Sequence, residues 1–542
     1  MTRRTRVRGR EKGVDFVKQS GGGAEVDERL AALLSNANAI RAIAAAVEGT
    51  IGPKGLDTML VDRFGEVTIT NDGVTILEQM DVNHPAARML INIARAQQNE
   101  IGDGTTTATI VASGLISEGV NQVVRGVPVA RVIEGLNYGI KRALGFIKEH
   151  SRPVESLSDP VLERIAYIAG RENADIAELV VEAARLVGAE KLKDPNFKLA
   201  DTVLAQEGAE NEVFLGLILD RVRLNNQMPR EKSAVKVLVL DDALEPEEIE
   251  AEALGTETGF GKYLEVQEEF RANINKLVEM GVGLVLVRKG VHNIAEEILT
   301  DAEILVVDRV AGDMLRLVAD HTGARVVKRS ALKKSVPDLD NYLGFAAEVY
   351  EDEKLEQVRI LGGSAKPMAT FLVGAATEEV VGERERIACD AASSLQAAVR
   401  GGVVPGGGAL EIAVARELAR AREDKRGMSA YGVDCVVEAL KRPLGQIVAN
   451  AGFNPLEKVE EVWAAQNEAH SDDVGINCEN GSIVSMFAEG VVDPALVKIH
   501  ALKAAAEVAE AILRIDTIIK RKDPVSPSGQ VQEAGEVTNL DF

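Results

Sequence analysis

A chain of 542 residues exceeds what one hydrophobic core usually serves, and about three domains are expected. A net charge of −23, from 85 acidic and 62 basic residues, excludes general nucleic-acid affinity and favours solubility at high concentration. Three widely spaced cysteines with no CxxC pair point to a reducing, cytoplasmic setting; no apolar run reads as a membrane span, and the basic start MTRRTRVRGREKG lacks the apolar stretch of an export signal.

Residues 28–49, rich in alanine and leucine, predict a long helix ending at Gly49. TIGPKG (50–55) is a loop, followed by short strands at 58–61 and 66–70 and a turn at NDG (71–73). A helix is predicted over 85–100, with Pro85 in its first turn and Leu90, Ile93 and Ala94 on one stripe. More helix follows the run IGDGTTTATI (101–110). The centre differs. Short β-branched runs at 235–244, 281–290, 302–310 and 323–330, separated by helical patterns, predict an α/β domain over about 222–360. The charged stretch 245–281 is long for a connection and predicts a projection. Helix returns from 383, is interrupted by the flexible GGVVPGGG (401–408), and continues to about Lys520. Helical sequence thus flanks an α/β centre. If the flanks form one body, the chain crosses to the centre twice, and that joint could bend as a unit.

Candidate chemistry begins at Gly102-Asp103-Gly104-Thr105-Thr106-Thr107. Glycines permit an unusual turn, and threonines suit a helix start whose free N–H groups face an anion. A plain capped helix fits the same residues. Asp103 beside a phosphate requires a metal between them, and magnesium suits one carboxylate plus phosphate oxygens. TIGPKG, with Lys54, is a second donor loop or an ordinary turn. Asp390 stands among Ala388, Cys389, Ala391 and Ala392, either exposed or aimed into a site. VVDP (491–494) reads as a helix start with Asp493 as cap.

In this order and at this spacing, TIGPKGLDTML, TITNDGVTIL, GDGTTTAT, CDAASSLQAAVRGGVVPGGGALE and VVDP resemble the chaperonin family of ring-forming, ATP-driven folding machines, along nearly the whole chain. DVNHPAARML (81–90) and the 245–281 insertion resemble its group II, thermosome-like branch, whose subunits carry their own lid. The resemblance implies a multidomain α plus α/β fold. A mainly helical equatorial ATPase domain would combine 1–150 and 401–542. A small intermediate hinge domain would combine 151–221 and 361–400. An α/β apical domain would occupy 222–360, with a helical protrusion near 245–275.

The implied cofactors are ATP and Mg2+. Thr50, Ile51, Gly52, Pro53 and Asn71 would contact nucleotide, Asp103 would hold magnesium, and Gly104, Thr105, Thr106 and Thr107 would cradle phosphates. Asp390, assisted by Asp72, would activate the attacking water. Gly407 would lie against the nucleotide, Asp493 would take the ribose hydroxyls, and Asn477 of GINCE falls where the family contacts the base. Asp103 and Asp390 would lie on different domains, so hydrolysis would need closure, which would bring the protrusions together over a client. The implied partners are non-native polypeptides and further copies of the chain, in two stacked rings of eight or nine, with no separate cap protein, nucleic acid or membrane. Two departures stand out: Arg171 aligns where the branch generally has a phosphate-sensing lysine, and GINCE differs from the usual base-contacting pattern. Apical helices around 292–299 and 313–320 are candidate client surfaces, unless Ile294, Ile298, Leu299, Met314, Leu315 and Leu317 are simply core. A small-molecule phosphotransferase or a holding protein without turnover would share the phosphate site.

Overall fold

The structure, a computed structural model, describes residues 22–65, 67–247 and 256–517. The basic start, residues 248–255 of the expected protrusion and the tail beyond 517 lie outside these.

The first stretch is helical: α1 (Gly22–Glu48), α2 (Gly73–Gln79), α3 (Pro85–Glu100), α4 (Thr105–Val124) and α5 (Val129–Glu149), with a hairpin of β1 (Thr58–Val61) and β2 (Val67–Thr70). α3 forms as the sequence predicts. His84 accepts a hydrogen bond from Ala86 N, Pro85 occupies the first turn, and Leu90, Ile93 and Ala94 are buried. Leu30–Glu48 of α1 is, against expectation, long and apolar enough to span a membrane by length and composition. Its Leu33, Ala37, Ile40, Ala44 and Val47 are nevertheless packed into the core, which makes it a core helix.

A second group follows: α6 (Pro160–Ala169), α7 (Ala174–Val187), α8 (Ala189–Lys193), β3 (Val203–Glu207) and β4 (Glu212–Leu219). The third comprises β5 (Glu231–Leu240), α9 (Glu257–Glu279), β6 (Val282–Val287), α10 (Asn293–Asp301), β7 (Leu305–Val307), α11 (Gly312–Thr322), α12 (Val336–Asp340), β8 (Gly344–Asp352) and β9 (Gln357–Gly363). The chain returns through β10 (Ala369–Ala375) and α13 (Glu378–Gly401). It ends with β11 (Val403–Pro405), α14 (Ala409–Ala421), α15 (Ala430–Asn450), α16 (Pro455–Ala469), β12 (Val474–Ile476), β13 (Ile483–Ser485), β14 (Val492–Pro494) and α17 (Ala495–Leu513).

Three large groupings of buried side chains result, beside smaller ones among α14, α15 and α16 and at β4 and β10. One joins α1–α5 to α14, α15 and α17, so both ends of the described chain build one body. α4 is apolar on most sides and runs through its middle. A second joins α6 and α7 to β3, β10 and α13. The third lies on both faces of β5–β7. The two chain crossings out of the helical body run side by side. Arg152 and Val403 exchange backbone hydrogen bonds, both 2.8 Å, so the crossings are tied as one joint.

One sheet of eight strands, ordered β3-β10-β4-β9-β8-β5-β6-β7, links the second group to the third. Only β3/β10 and β5/β6/β7 pair in parallel; the rest are antiparallel. The run at 323–330 holds no strand, only a bridge from Val327 to Leu240. β3, β4, β8, β9 and β10 were not anticipated from the sequence. Of the apical candidates, Leu299 and Leu315 are fully buried core, Ile294, Ile298 and Met314 pack against it, and Leu317 is exposed.

The GGVVPGGG stretch is ordered and largely buried rather than loose. A Cβ on Gly408 would come within 2.9 Å of the Leu444 backbone, so close approach requires glycine there. The same holds where α5 crosses α15: a Cβ on Gly432 would overlap the Val132 carbonyl and reach 2.7 Å from Gly135 Cα. Gly432→Ala should therefore destabilise the helical body by about 1–3 kcal/mol. Thermal unfolding checks this, and an unchanged melting temperature would mean the two backbones do not touch.

Candidate functional site

The corner between α3 and α4 is built by two left-handed glycines, Gly102 (φ 81°) and Gly104 (φ 78°), on either side of Asp103. A side chain at Gly102 would overlap Ser393, and one at Gly104 would meet Val497 Cγ1 at 2.5 Å. Gly104 occupies the N-cap of α4, which has no side-chain cap. The first-turn N–H groups of Thr105, Thr106 and Thr107 therefore keep no intrahelical acceptor and mark the positive end of a 20-residue helix. Gln97 fixes the corner, donating to Asp103 O (2.8 Å) and to Val497 O of α17 (3.2 Å).

The TNDG turn packs onto this corner. A Cβ on Gly73 would lie 2.5 Å from Thr106 Oγ1. Asp72, beside Asn71, caps α2 by accepting from Thr75 N (2.9 Å) and Thr75 Oγ1 (2.6 Å). From the second body, α13 brings Asp390 to the same place. Gln98 donates to Asp390 Oδ1 at 3.3 Å, and Ser394, one turn along α13, donates to Asp103 Oδ2 at 2.6 Å.

The electrostatics follow from this crowding. Loss of water raises the Asp390 carboxyl to about 8, with the charges of Asp103 and Asp72 pushing the same way and Arg386 opposing. Loss of water also raises Asp103, against the hydrogen bond from Ser394. Arg386 pairs with Asp72 at 3.3 Å and with Glu383, which in turn holds Arg171 at 2.7 Å.

On the far side, Asp493 does not cap α17; Pro494 holds that position. Asp493 lies in β14 opposite Val404, where its Oδ2 pairs with Lys498 Nζ at 2.7 Å. Lys498 is buried and also pairs with Glu411 at 2.8 Å; these two acids raise it against the loss of water. Its charge acts on Asp103, so the two ends of the cleft are coupled. Gly407 (φ 61°) faces Met486.

The remaining candidates form a separate strip. Asn450 donates to Glu48 O and Ile51 O, both 2.9 Å, and Gly52 (φ 88°) abuts Ile447. Thr50 Oγ1 bonds back to Val47 O, and Pro53 is exposed. Asn477 Oδ1 accepts from Glu479 N in the β12–β13 turn, and Glu479 pairs with Lys54 at 2.5 Å. The cation of TIGPKG is thus engaged by GINCE.

Asp72, Asp103, Asp390 and Gly104–Thr107 are brought together as the motifs suggest. Arg386, Ser394, Gln98 and Lys498 were missed. The first two were legible, since they lie four residues either side of Asp390 on one helix face. Lys498 carried no local signal. Among the described residues no cluster of three or more His, Cys, Asp or Glu side chains could hold a metal alone. A single buried carboxylate beside a bare helix N-terminus fits magnesium arriving with phosphate oxygens.

Residues 43–523 match the TCP-1/cpn60 chaperonin family. The chain is 35% identical to thermosome subunit beta of Archaeoglobus fulgidus, covering 92% of this chain and 94% of the relative. It is 33% identical to the thermosome subunit of Methanopyrus kandleri, covering 90% and 92%. A crystal structure of a group III chaperonin in the open state superimposes with a TM-score of 0.85 at 47% identity, covering 91% of this chain and all of that one.

The raised Asp390 carboxyl has a stability consequence. An unfolded aspartate ionises near pH 4, whereas here the proton is kept to about pH 8. Between these values the native state binds more protons, so stability falls as pH rises. Asp390→Asn cannot ionise and removes this slope. The nucleotide-free variant should melt several degrees above wild type at pH 8, with the difference shrinking toward pH 5. Equal differences at both pH values, in a calorimetric scan, would contradict the assignment.

Proposed function

This chain belongs to the TCP-1/cpn60 chaperonin family, in its thermosome-like branch, and is an ATP-dependent, ATP-hydrolysing chaperone; from that premise we propose how its residues divide the work. The helical body shared by both chain ends is the equatorial domain (1–150 and 401–542). The group around α13 is the intermediate domain (151–221 and 361–400). The β5–β9 body is the apical domain (222–360), with α9 in its protrusion. The three separate cores and the paired crossing at Arg152 and Val403 support this division. The joint between intermediate and apical parts then falls inside a continuous sheet, between β4 and β9.

The N-terminus of α4 receives the nucleotide phosphates, with Gly104 and Thr105–Thr107 as donors. Asp103 holds Mg2+, which when bound neutralises phosphate charge. Asp493, held by Lys498, takes the ribose hydroxyls beside Gly407. The strip of Thr50–Pro53 and Asn477 closes the base end, and Asn71 borders the phosphates. Asp390 and Asp72 orient the attacking water, whose proton goes to Asp72 or, once bound Mg2+ has favoured its ionised form, to Asp390. Phosphoryl transfer asks chiefly for such positioning and charge stabilisation. The observation that carries this reading is Asp390, from the second body, sharing a cleft with Asp103, from the first. Moving α13 against the helical body would make or break the site, which couples turnover to the swing of the apical domain.

The proposed assembly is two stacked rings of eight or nine; what supports contact with a neighbouring copy is the β1–β2 hairpin. Met59, Val61, Phe64, Val67 and Ile69 are exposed on a sheet of only two strands, a surface suited to a neighbouring copy. Non-native polypeptides are the clients, enclosed by the built-in lid without a separate cap. Free Cys389, Cys435 and Cys478 support a reducing, cytoplasmic location.

Asp390→Ala should bind ATP with near wild-type affinity yet lose about 100-fold or more in kcat. Steady-state hydrolysis and a direct binding assay test this, and wild-type turnover would refute the role. For subunits of 58.0 kDa, a sixteen-chain particle has a mass on the order of 900 kDa, measurable by light scattering. A small oligomer that phosphorylates an added acceptor would favour a phosphotransferase instead.

A further inference from the structure

Glu383, Arg386, Asp390 and Ser394 fall at i, i+3, i+7 and i+11 along α13, one face of a helix. Each meets a different segment. Glu383 holds Arg171, Arg386 reaches Asp72 at 3.3 Å, Asp390 accepts from Gln98 at 3.3 Å, and Ser394 donates to Asp103 at 2.6 Å. Arg386 is the cation of this row. It bridges α13 to the TNDG turn, one helical turn before Asp390.

The Asp72 carboxylate is held on two sides. Its Oδ2 caps α2 through Thr75 and also meets the guanidinium. Two carboxylates sharing one cleft repel, and a permanently charged arginine that pairs with Asp72 and acts on the charge of Asp390 offsets that repulsion while its planar fork fixes direction. Arg386 Nη1 is buried without a hydrogen-bond acceptor, so its contact with Asp72 is an off-line charge pairing that leaves a donor in reserve. The guanidinium is aimed from behind by Glu383, which also binds Arg171. Arg171 and Glu172 both adopt left-handed backbone (φ 52° and 62°), a conformation that non-glycine residues hold only under constraint.

We propose that Arg386 is a positioning residue for ATP hydrolysis: pairing with Asp72 from the helix that carries Asp390, it fixes the two carboxylates relative to each other, and Glu383 sets its aim by tying it to the Arg171 loop. The inference rests on the reading of Asp390 and Asp72 as the pair that acts on water. It assigns the Arg171 loop an indirect route to the reaction, through Glu383 and Arg386.

The test uses the full-length assembled protein with MgATP. Arg386→Gln should lower kcat by about 10–100-fold while KM and ATP affinity stay within about threefold. Arg386→Lys, which keeps charge but not the fork, should recover part of the loss. Glu383→Gln, which leaves Arg386 in place but unaimed, should cost a smaller factor, about 3–10-fold in kcat. A kcat for Arg386→Gln within twofold of wild type overturns the proposal, as does a loss borne by KM alone. If Arg386→Gln fails to assemble, as judged by particle mass, Glu383→Gln decides: reduced kcat in intact particles supports the proposal and wild-type kcat overturns it. Asp390→Asn run in parallel separates the two readings. Full activity there sinks the carboxylate pair itself, whereas an inactive Asp390→Asn with an unimpaired Arg386→Gln sinks only the role of Arg386.

Discussion

The charges of Asp72 and Asp103 act on Asp390 within a single cleft, the three carried by a capped turn, a glycine corner and a helix from another part of the chain. Like charges brought this close oppose their own assembly unless protons, cations or helix ends offset them. Each device is present. Asp390 holds its proton to about pH 8, Arg386 pairs with Asp72, Lys498 acts on Asp103, and the uncapped start of α4 points positive partial charge at the same place. A cleft with this pattern of charge is consistent with the proposed magnesium-bound nucleotide, whose metal would suit the acids and whose oxygens would suit the helix N-terminus.

The geometry that gathers the acids is rigid on each side and jointed between. Gly104 and Gly73 let backbone approach within contact of Val497 and Thr106, contacts that lie within the first body, whereas Gly102 approaches Ser393 of α13 across the joint. α13 packs along its length into the second core, so its row of polar side chains moves as one unit. The joint is the paired crossing at Arg152 and Val403, beside Gly402 (φ 80°), whose added Cβ would come within 2.7 Å of the Arg152 carbonyl. A bend there would separate Ser394 from Asp103 and Arg386 from Asp72 together. The eight-stranded sheet passes the same motion to the third body without a loose linker.

Buried charge is managed differently at the far end of the cleft. Lys498 sits between Glu411 and Asp493, with every member of the trio on α14, β14 or α17. α14 and α17 share the first core, while β14 is held by its pairing with β11 and packs Val492 into the second. On the proposed roles, nucleotide binding draws on one mechanical unit and cleavage on both.

Local sequence determined the elements with a strong period and a clear start. α3 runs over its predicted residues because Pro85 and the buried stripe of Leu90, Ile93 and Ala94 act within a few turns. The β1 hairpin strand and the glycine corner at 102–104 were legible for the same reason, as was the order of motifs that marks the family. Strands such as β3 and β10 were not, because they pair with each other from far apart along the chain and their own residues lack a clean alternation. VVDP shows the limit at one residue. A cap is the local reading of Asp493, yet tertiary packing puts it in β14 against a lysine that has no local mark. The convergence of Asp72, Asp103 and Asp390 was likewise beyond the sequence alone, since 287 positions separate Asp103 from Asp390. Composition and motif chemistry decided what each segment could do; only the fold, by setting which distant segments touch and which charges lose water together, decided that they do it in one cleft.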